Sequence, residues 1–214
     1  MGGLALLCFQ ATSTNAAISV GNKSVLYVDA DGEMFNWGAN GSGQLGDDSK
    51  IDRLVPVVPA EVALWLDVAN NLTGVANSTL EGHSLAIKAD GAGGTQGTLW
   101  AWGDNSRGQL GQGDTTERLV PTQVGSASNW VAVEVGSAFS MALNADGEIW
   151  IWGDNSFEQL GSGIVADFQA VPTRLADKDG GAVNDDEWIS IAAGADYALG
   201  VHSSSAGAPW GYIY

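Results

Sequence analysis

Apolar and polar positions alternate along this chain with a period of two, and the same alternation returns several times. Its fullest copy is Met141-Ala142-Leu143-Asn144-Ala145-Asp146-Gly147-Glu148-Ile149-Trp150-Ile151-Trp152, two apolar runs around an Asp-Gly. Such runs read as strands, and the Asp-Gly between them reads as a hairpin turn whose two central residues both take positive φ. Trp65-Leu66-Asp67-Val68, Trp130-Val131-Ala132-Val133 and Trp188-Ile189-Ser190-Ile191 each set an aromatic ahead of alternating apolar positions, the pattern of a half-buried strand. Helical periodicity is almost absent. The pattern predicts an all-β chain with four short antiparallel strands in each unit of roughly 50 residues.

The units are marked by a polar signature as well. Trp37-Gly38-Ala39-Asn40 is followed by Gly43-Gln44-Leu45-Gly46, Trp102-Gly103-Asp104-Asn105 by Gly108-Gln109-Leu110-Gly111, and Trp152-Gly153-Asp154-Asn155 by Glu158-Gln159-Leu160-Gly161. Val55-Pro56, Val120-Pro121 and Val171-Pro172 then follow 19, 19 and 20 residues after their tryptophans. From Trp37 through Trp102 and Trp152 to Trp210-Gly211 the steps are 65, 50 and 58 residues. The surplus falls in glycine-rich and acidic stretches, 70–74, 91–97 and 177–187, as expected where insertions lengthen turns and spare strands. Repetition at this period marks propellers and solenoids, whose units bury their apolar faces only against neighbouring copies. Four strands per unit favour a propeller blade.

These motifs, in this order, resemble the regulator of chromosome condensation repeat over about Ile18 to Gly211, leaving residues 1–17 as an N-terminal segment of uncertain role. The resemblance implies a ring of about seven blades, within the range by which propellers close. Only three complete Trp-Gly to Trp-Gly units are present, and Val20-Gly21-Asn22-Lys23-Ser24-Val25-Leu26 aligns with Val135-Gly136-Ser137-Ala138-Phe139-Ser140-Met141, so the chain is expected to begin and end inside a blade. Further blades or a second chain are the expected partners for the blade edges this leaves.

The repeated residues divide by task. Trp37, Trp102, Trp152 and Trp210 are expected to pack between blades, with Gly38, Gly103, Gly153 and Gly211 beside them. Gly46, Gly111 and Gly161 suggest backbone geometry that a side chain would obstruct. Asn40, Asn105 and Asn155 either close their own turns or form a polar ring for a ligand, and the turn reading is preferred.

Charge narrows the partners. Eight Lys and Arg stand against 25 Asp and Glu, a formal net charge of −17. Nucleic-acid affinity rests on cationic side chains that release counterions, so a nucleic-acid partner, including the chromatin role known in the family, is not expected. The acidity is read first as a solubility device, with a salty or calcium-bearing extracellular setting as the sharper alternative. Calcium is a possible cofactor only in the loop holding Asp177, Asp179, Asp185, Asp186 and Glu187, which is also the candidate binding loop. Asp29-Ala30-Asp31-Gly32-Glu33 is read as a hairpin turn, because it aligns with Asn144-Ala145-Asp146-Gly147. No apolar run reaches the length of a membrane span, the opening Leu4 to Phe9 lacks a basic flank, and Cys8 stands alone.

No catalytic constellation emerges. His83 and His202 lie on different repeats, and His83, aligned with Phe139 and Tyr197, is read as a core residue or a structural hydrogen-bonding group. The expected function is a non-enzymatic module in which a rigid propeller presents loops to a protein or a surface glycan, by analogy at a virion or extracellular surface. The alternative, implied by the resemblance, is guanine-nucleotide exchange on a small GTPase.

Overall fold

The computed structural model describes residues 16–21, 23–70, 82–91, 94–161, 163, 166–175, 188–202 and 210–213, of which 202 and 210–213 are described by backbone alone. The described residues form antiparallel strands in three blades and part of a fourth. Blade 1 comprises β1 (Ala17–Val20), β2 (Ser24–Val28), β3 (Met34–Gly38) and β4 (Arg53–Val57), paired in that order. Blade 2 comprises β5 (Trp65–Asn70), β6 (His83–Ala89), β7 (Gly97–Gly103) and β8 (Arg118–Gln123). Blade 3 comprises β9 (Trp130–Val135), β10 (Phe139–Asn144), β11 (Ile149–Asp154) and β12 (Phe168–Arg174). A single bridge, Gly97 to Trp130, joins blades 2 and 3. The last three strands are β13 (Trp188–Ala193), β14 (Ala198–His202) and β15 (Trp210–Ile213).

Three apolar clusters hold the arc together, one at each seam, because each sheet buries alternate residues against its neighbour. Leu26, Val28 and Met34 of blade 1 meet Trp65, Val68, Ala86 and Trp102 of blade 2. Leu85, Ile87, Leu99 and Leu110 of blade 2 meet Trp130, Val133, Ala142 and Trp152 of blade 3. Met141, Ile149, Ile151 and Leu160 then meet Ile191 and Ala198.

Three sequence expectations change here. Blade 1 has a complete set of strands, since β1 pairs with β2 from Ala17↔Val28 to Val20↔Val25. Its first strand lacks the leading tryptophan that marks β5, β9 and β13. Second, the Asp-Gly turns use positive φ only at glycine: Gly32 stands at 82° and Gly147 at 72°, whereas Asp31 and Asp146 do not share that region. Gly32 N donates to Asp29 O and Gly147 N to Asn144 O, both at 3.1 Å, so the glycine closes a longer turn and the aspartate keeps an ordinary conformation. Third, Leu199 pairs with Ile213 as Met141 pairs with Ile151, which puts Gly211 in the place of Ile149. Trp210-Gly211 therefore runs ahead of the Trp-Gly register by four residues.

Candidate functional site

The repeated motif assembles into one recurring joint, a turn on one blade seated on the next. In blade 1 the Gln44 carbonyl accepts from Trp102 Nε1 at 2.8 Å and from Ser84 Oγ at 2.9 Å, both on blade 2. In blade 2 the Gln109 carbonyl accepts from Trp152 Nε1 at 2.8 Å and from Ser140 Oγ at 2.7 Å, both on blade 3. Trp102 and Trp152 are fully buried in these joints. A Cβ on Gly46 would stand 3.0 Å from Trp102 Nε1 and 3.1 Å from Pro121 Cδ, and one on Gly111 the same distances from Trp152 Nε1 and Pro172 Cδ. Glycine is required because the indole and proline press on the turn. Gly43 faces Leu119 and Gly108 faces Ala170 just as closely, so the outer strand of each blade also grips the preceding turn.

The asparagines hold the turns in shape. Asn40 Oδ1 accepts from Leu45 N at 2.9 Å, Asn105 Oδ1 from Leu110 N at 2.9 Å, and Asn155 Oδ1 from Leu160 N at 3.1 Å. Their amide nitrogens donate across the same loops, to Ser49 O, Asp114 O and Ala166 O respectively. The side chains thus face their own loops. Arg53 and Arg118 brace the first two loops through Asp47 and Asp114. Burial raises the Asp47 pKa, but the bonds from Ser49, Arg53 and Asn40 outweigh it and leave the group below its ordinary value.

Blade 1 offers the same joint with no turn on it among the described residues. Trp37 is only half-buried, and Leu54, which holds the place of Leu119 and Ala170, is 98% exposed. Ile51, Val55, Val58 and Val62, within eight residues of it in the chain, are exposed too. Blade 3 carries the opposite irregularity: Glu158 replaces the glycine found at 43 and 108 yet keeps φ at 60°, beside an exposed Phe157.

Acid–base groups are few. His83 is buried between blades 2 and 3, with Nε2 2.9 Å from Ser140 Oγ, and since that hydroxyl donates to Gln109 O, Nε2 carries the proton. Burial lowers its pKa to about 3, so the ring is neutral and structural. Asp29 Oδ1 accepts from Asp31 N and Glu33 N at 2.9 Å, closing the hairpin in the same way as Asn144. Among the described residues no three His, Cys, Asp or Glu side chains gather as a metal site would need. The acidic run from Asp177 to Glu187, Cys8 and the Trp210 side chain lie outside the described residues.

Sequence reading missed the seam hydroxyls Ser84 and Ser140, although each occupies the position directly after His83 or its counterpart Phe139. It also passed over Asp67, whose Oδ2 accepts from Val133 N of blade 3 at 3.0 Å and which has no acidic counterpart in the other units to leave a repeat signal.

The sequence profile of the regulator of chromosome condensation (RCC1) repeat matches residues 31–64, 96–143 and 146–201, and a second profile of that repeat matches residues 130–159. The chain belongs to the regulator of chromosome condensation repeat family. Among curated relatives, the ultraviolet-B receptor UVR8 of Arabidopsis thaliana is 33% identical over 109 residues, which cover 51% of this chain and 22% of the receptor. The human E3 ubiquitin-protein ligase HERC2 is 28% identical over 131 residues, 60% of this chain and 2% of the ligase. The crystal structure of human WBSCR16 superposes with a TM-score of 0.72 at 20% identity, covering 95% of this chain and 49% of its own. That of Prp20p from Saccharomyces cerevisiae, described with its binding properties to Gsp1p and histones, gives 0.66 at 21% identity, covering 88% and 44%. These likenesses show the RCC1 propeller fold, of which the chain spans about half in the solved relatives.

Proposed function

We propose that this chain is a non-catalytic part of an RCC1-type propeller that serves recognition, assembling with further blades or a second chain and presenting its loops to a protein or a surface glycan. The observation that carries this reading is the uncovered joint of blade 1, where Trp37 and Leu54 repeat a surface that is covered at Trp102 with Leu119 and at Trp152 with Ala170. Inside the chain a Gly-x-Gln-Leu-Gly turn supplies the cover, so a further blade is the matching partner. The described polar motif residues are engaged within their own turns and seams, which supports a scaffold role. An acidic surface suits a virion or extracellular setting.

Sedimentation of the 214-residue chain tests the assembly. We expect a species heavier than the 22.1 kDa chain, and Leu54→Asp should return it to single-chain mass. A monodisperse, stable wild-type monomer would overturn the assembly reading.

A second reading, regulatory binding of a small GTPase, draws on the likeness to Prp20p, a structure described with that protein's binding properties to Gsp1p and histones. Release of labelled guanine nucleotide from small GTPases separates the two: acceleration by this chain supports the second, and unchanged release supports the first.

A further inference from the structure

Each blade of the arc turns a leading face to the blade before it and a trailing face to the blade after it, and strand pairing fixes which residues lie on each. In blades 2, 3 and 4 the second strand sets a small residue on the leading face, Ala86 opposite Val68, Ala142 opposite Val133 and Gly200 opposite Ile191. In blades 1, 2 and 3 the third strand sets a large aliphatic residue on the trailing face, Met34 opposite Val28, Leu99 opposite Ile87 and Ile149 opposite Leu143. Met34 and Ala86 lie in one apolar cluster and Leu99 and Ala142 in the next, and a Cβ on Gly200 would stand 3.0 Å from Ile149 Cδ1. Each seam inside the chain therefore sets large against small, and the sheets close without a void.

The two outer faces of the arc reverse both sizes. On the leading face of blade 1, Tyr27 opposite Ile18 holds the place of Ala86, Ala142 and Gly200. On the trailing face of blade 4 (β13, β14 and β15), Gly211 opposite Val201 holds the place of Met34, Leu99 and Ile149. Blade 1 lacks the leading tryptophan that lies against Gly200 in blade 4, where Trp188 Cζ3 is 2.6 Å from the place of a Cβ. The Tyr27 ring has that room, and it stacks on Phe35 with 6.5 Å between ring centroids. Neither face is covered among the described residues. Ile18 is 65% exposed although its counterparts Val68, Val133 and Ile191 are buried, and Ile189 is 54% exposed although Leu66 and Val131 pack into seam clusters.

A tyrosine in the place of an alanine overpacks against Met34, Leu99 or Ile149, and a glycine facing Ala86 or Ala142 leaves a void. Opposite each other the two departures cancel. The chain also covers 49% of human WBSCR16 and 44% of Prp20p, so two copies hold about as much propeller as one such relative. We propose that the leading face of blade 1 docks on the trailing face of blade 4 in a second copy of this chain, with Tyr27 against Gly211. The contact is made twice, each copy giving one face and receiving the other as two-fold symmetry requires, so that two arcs close one ring. This rests on the assembly reading above and names the partner as the chain itself.

Sedimentation equilibrium of the whole chain tests the docking with Tyr27→Ala, Gly211→Leu and the double variant. The wild type should have the mass of two chains. Gly211→Leu sets a large residue against the tyrosine ring and should raise the dissociation constant at least about tenfold. Tyr27→Ala opens a void and should weaken association too, whereas the double variant again sets large against small and should recover most of the loss. Dissociation unchanged by Gly211→Leu, or no recovery in the double variant, overturns the docking and leaves the assembly reading standing. A wild-type mass above two chains overturns the closed pair, and a stable wild-type monomer overturns both readings. Should Gly211→Leu fail to fold, amide exchange of the wild type above and below its dissociation concentration decides: protection gained at both β1 and β13 supports the docking, and a gain at fewer than both overturns it.

Discussion

The indole of Trp102 fills the first seam and also donates to the Gln44 carbonyl, so its two contributions can be separated by substitution. Trp102→Ala empties a fully buried site and should cost about 3–5 kcal/mol, read from urea melts at unchanged m-value. Trp102→Phe keeps most of the apolar volume and removes the donor. Because Gln44 O retains the Ser84 hydroxyl, the hydrogen-bond part of that change should be about 1 kcal/mol. Trp37→Ala should cost least of the three motif tryptophans, since no turn is seated on that ring among the described residues. An unchanged midpoint for Trp102→Ala would refute the placement of this side chain at the seam.

At the scale of the element, the turn is gripped by its neighbour, and two glycines measure how firmly. Gly108 stands at φ 70° with Ala170 Cα only 2.6 Å from where a Cβ would sit, whereas Gly125 stands at φ 62° with nothing within 4 Å. Both alanine substitutions impose left-handed strain of about 1 kcal/mol, and only Gly108→Ala adds overpacking of about 1–3 kcal/mol. Equal losses, compared by chemical denaturation, would show that the outer strand does not clamp the turn. The same elements explain what could be read in advance. Strand number, blade order and the Trp-Gly joints were legible, because tryptophan, glycine and asparagine recur in register with the turns they build. The first strand of blade 1 was not, since Ala17-Ile18-Ser19-Val20 carries the alternation without the tryptophan that announces its counterparts. Trp210-Gly211 misled for the converse reason: the dipeptide is present, but strand pairing sets the register, and pairing is not written in a dipeptide. The donors that capture Gln44 O and Gln109 O reach backbone atoms, whose positions no residue type records.

For the whole molecule, stability should be distributed as in a linear array, because each blade buries its faces only against its neighbours. Blades 2 and 3 are covered on both sides, and Leu85, Ile87, Leu99, Ala101, Met141 and Ile151 in them are essentially inaccessible. Among the described residues, blade 1 is covered on one face only, with Ile18 and Val20 exposed on β1, and β13 exposes Ile189. Local opening costs least where apolar burial is least, so amide exchange should rank the strands by the number of blades that flank them. Amides of β6, β7, β10 and β11 are expected to exchange slowest, at rates approaching those of global unfolding. Those of β1, β4 and β13 should exchange through separate fraying, with protection factors lower by roughly tenfold for each 1.4 kcal/mol of missing seam energy. If a further blade seats on Trp37 and Leu54 in an assembled protein, the same experiment should raise β1 and β4 to the level of the centre while leaving β6 and β10 unchanged. Uniform protection across the isolated chain would show one cooperative unit and remove the nearest-neighbour account. The gradient also bears on recognition, since a surface that is both apolar and loosely held can adjust to what covers it at little cost to the rigid centre.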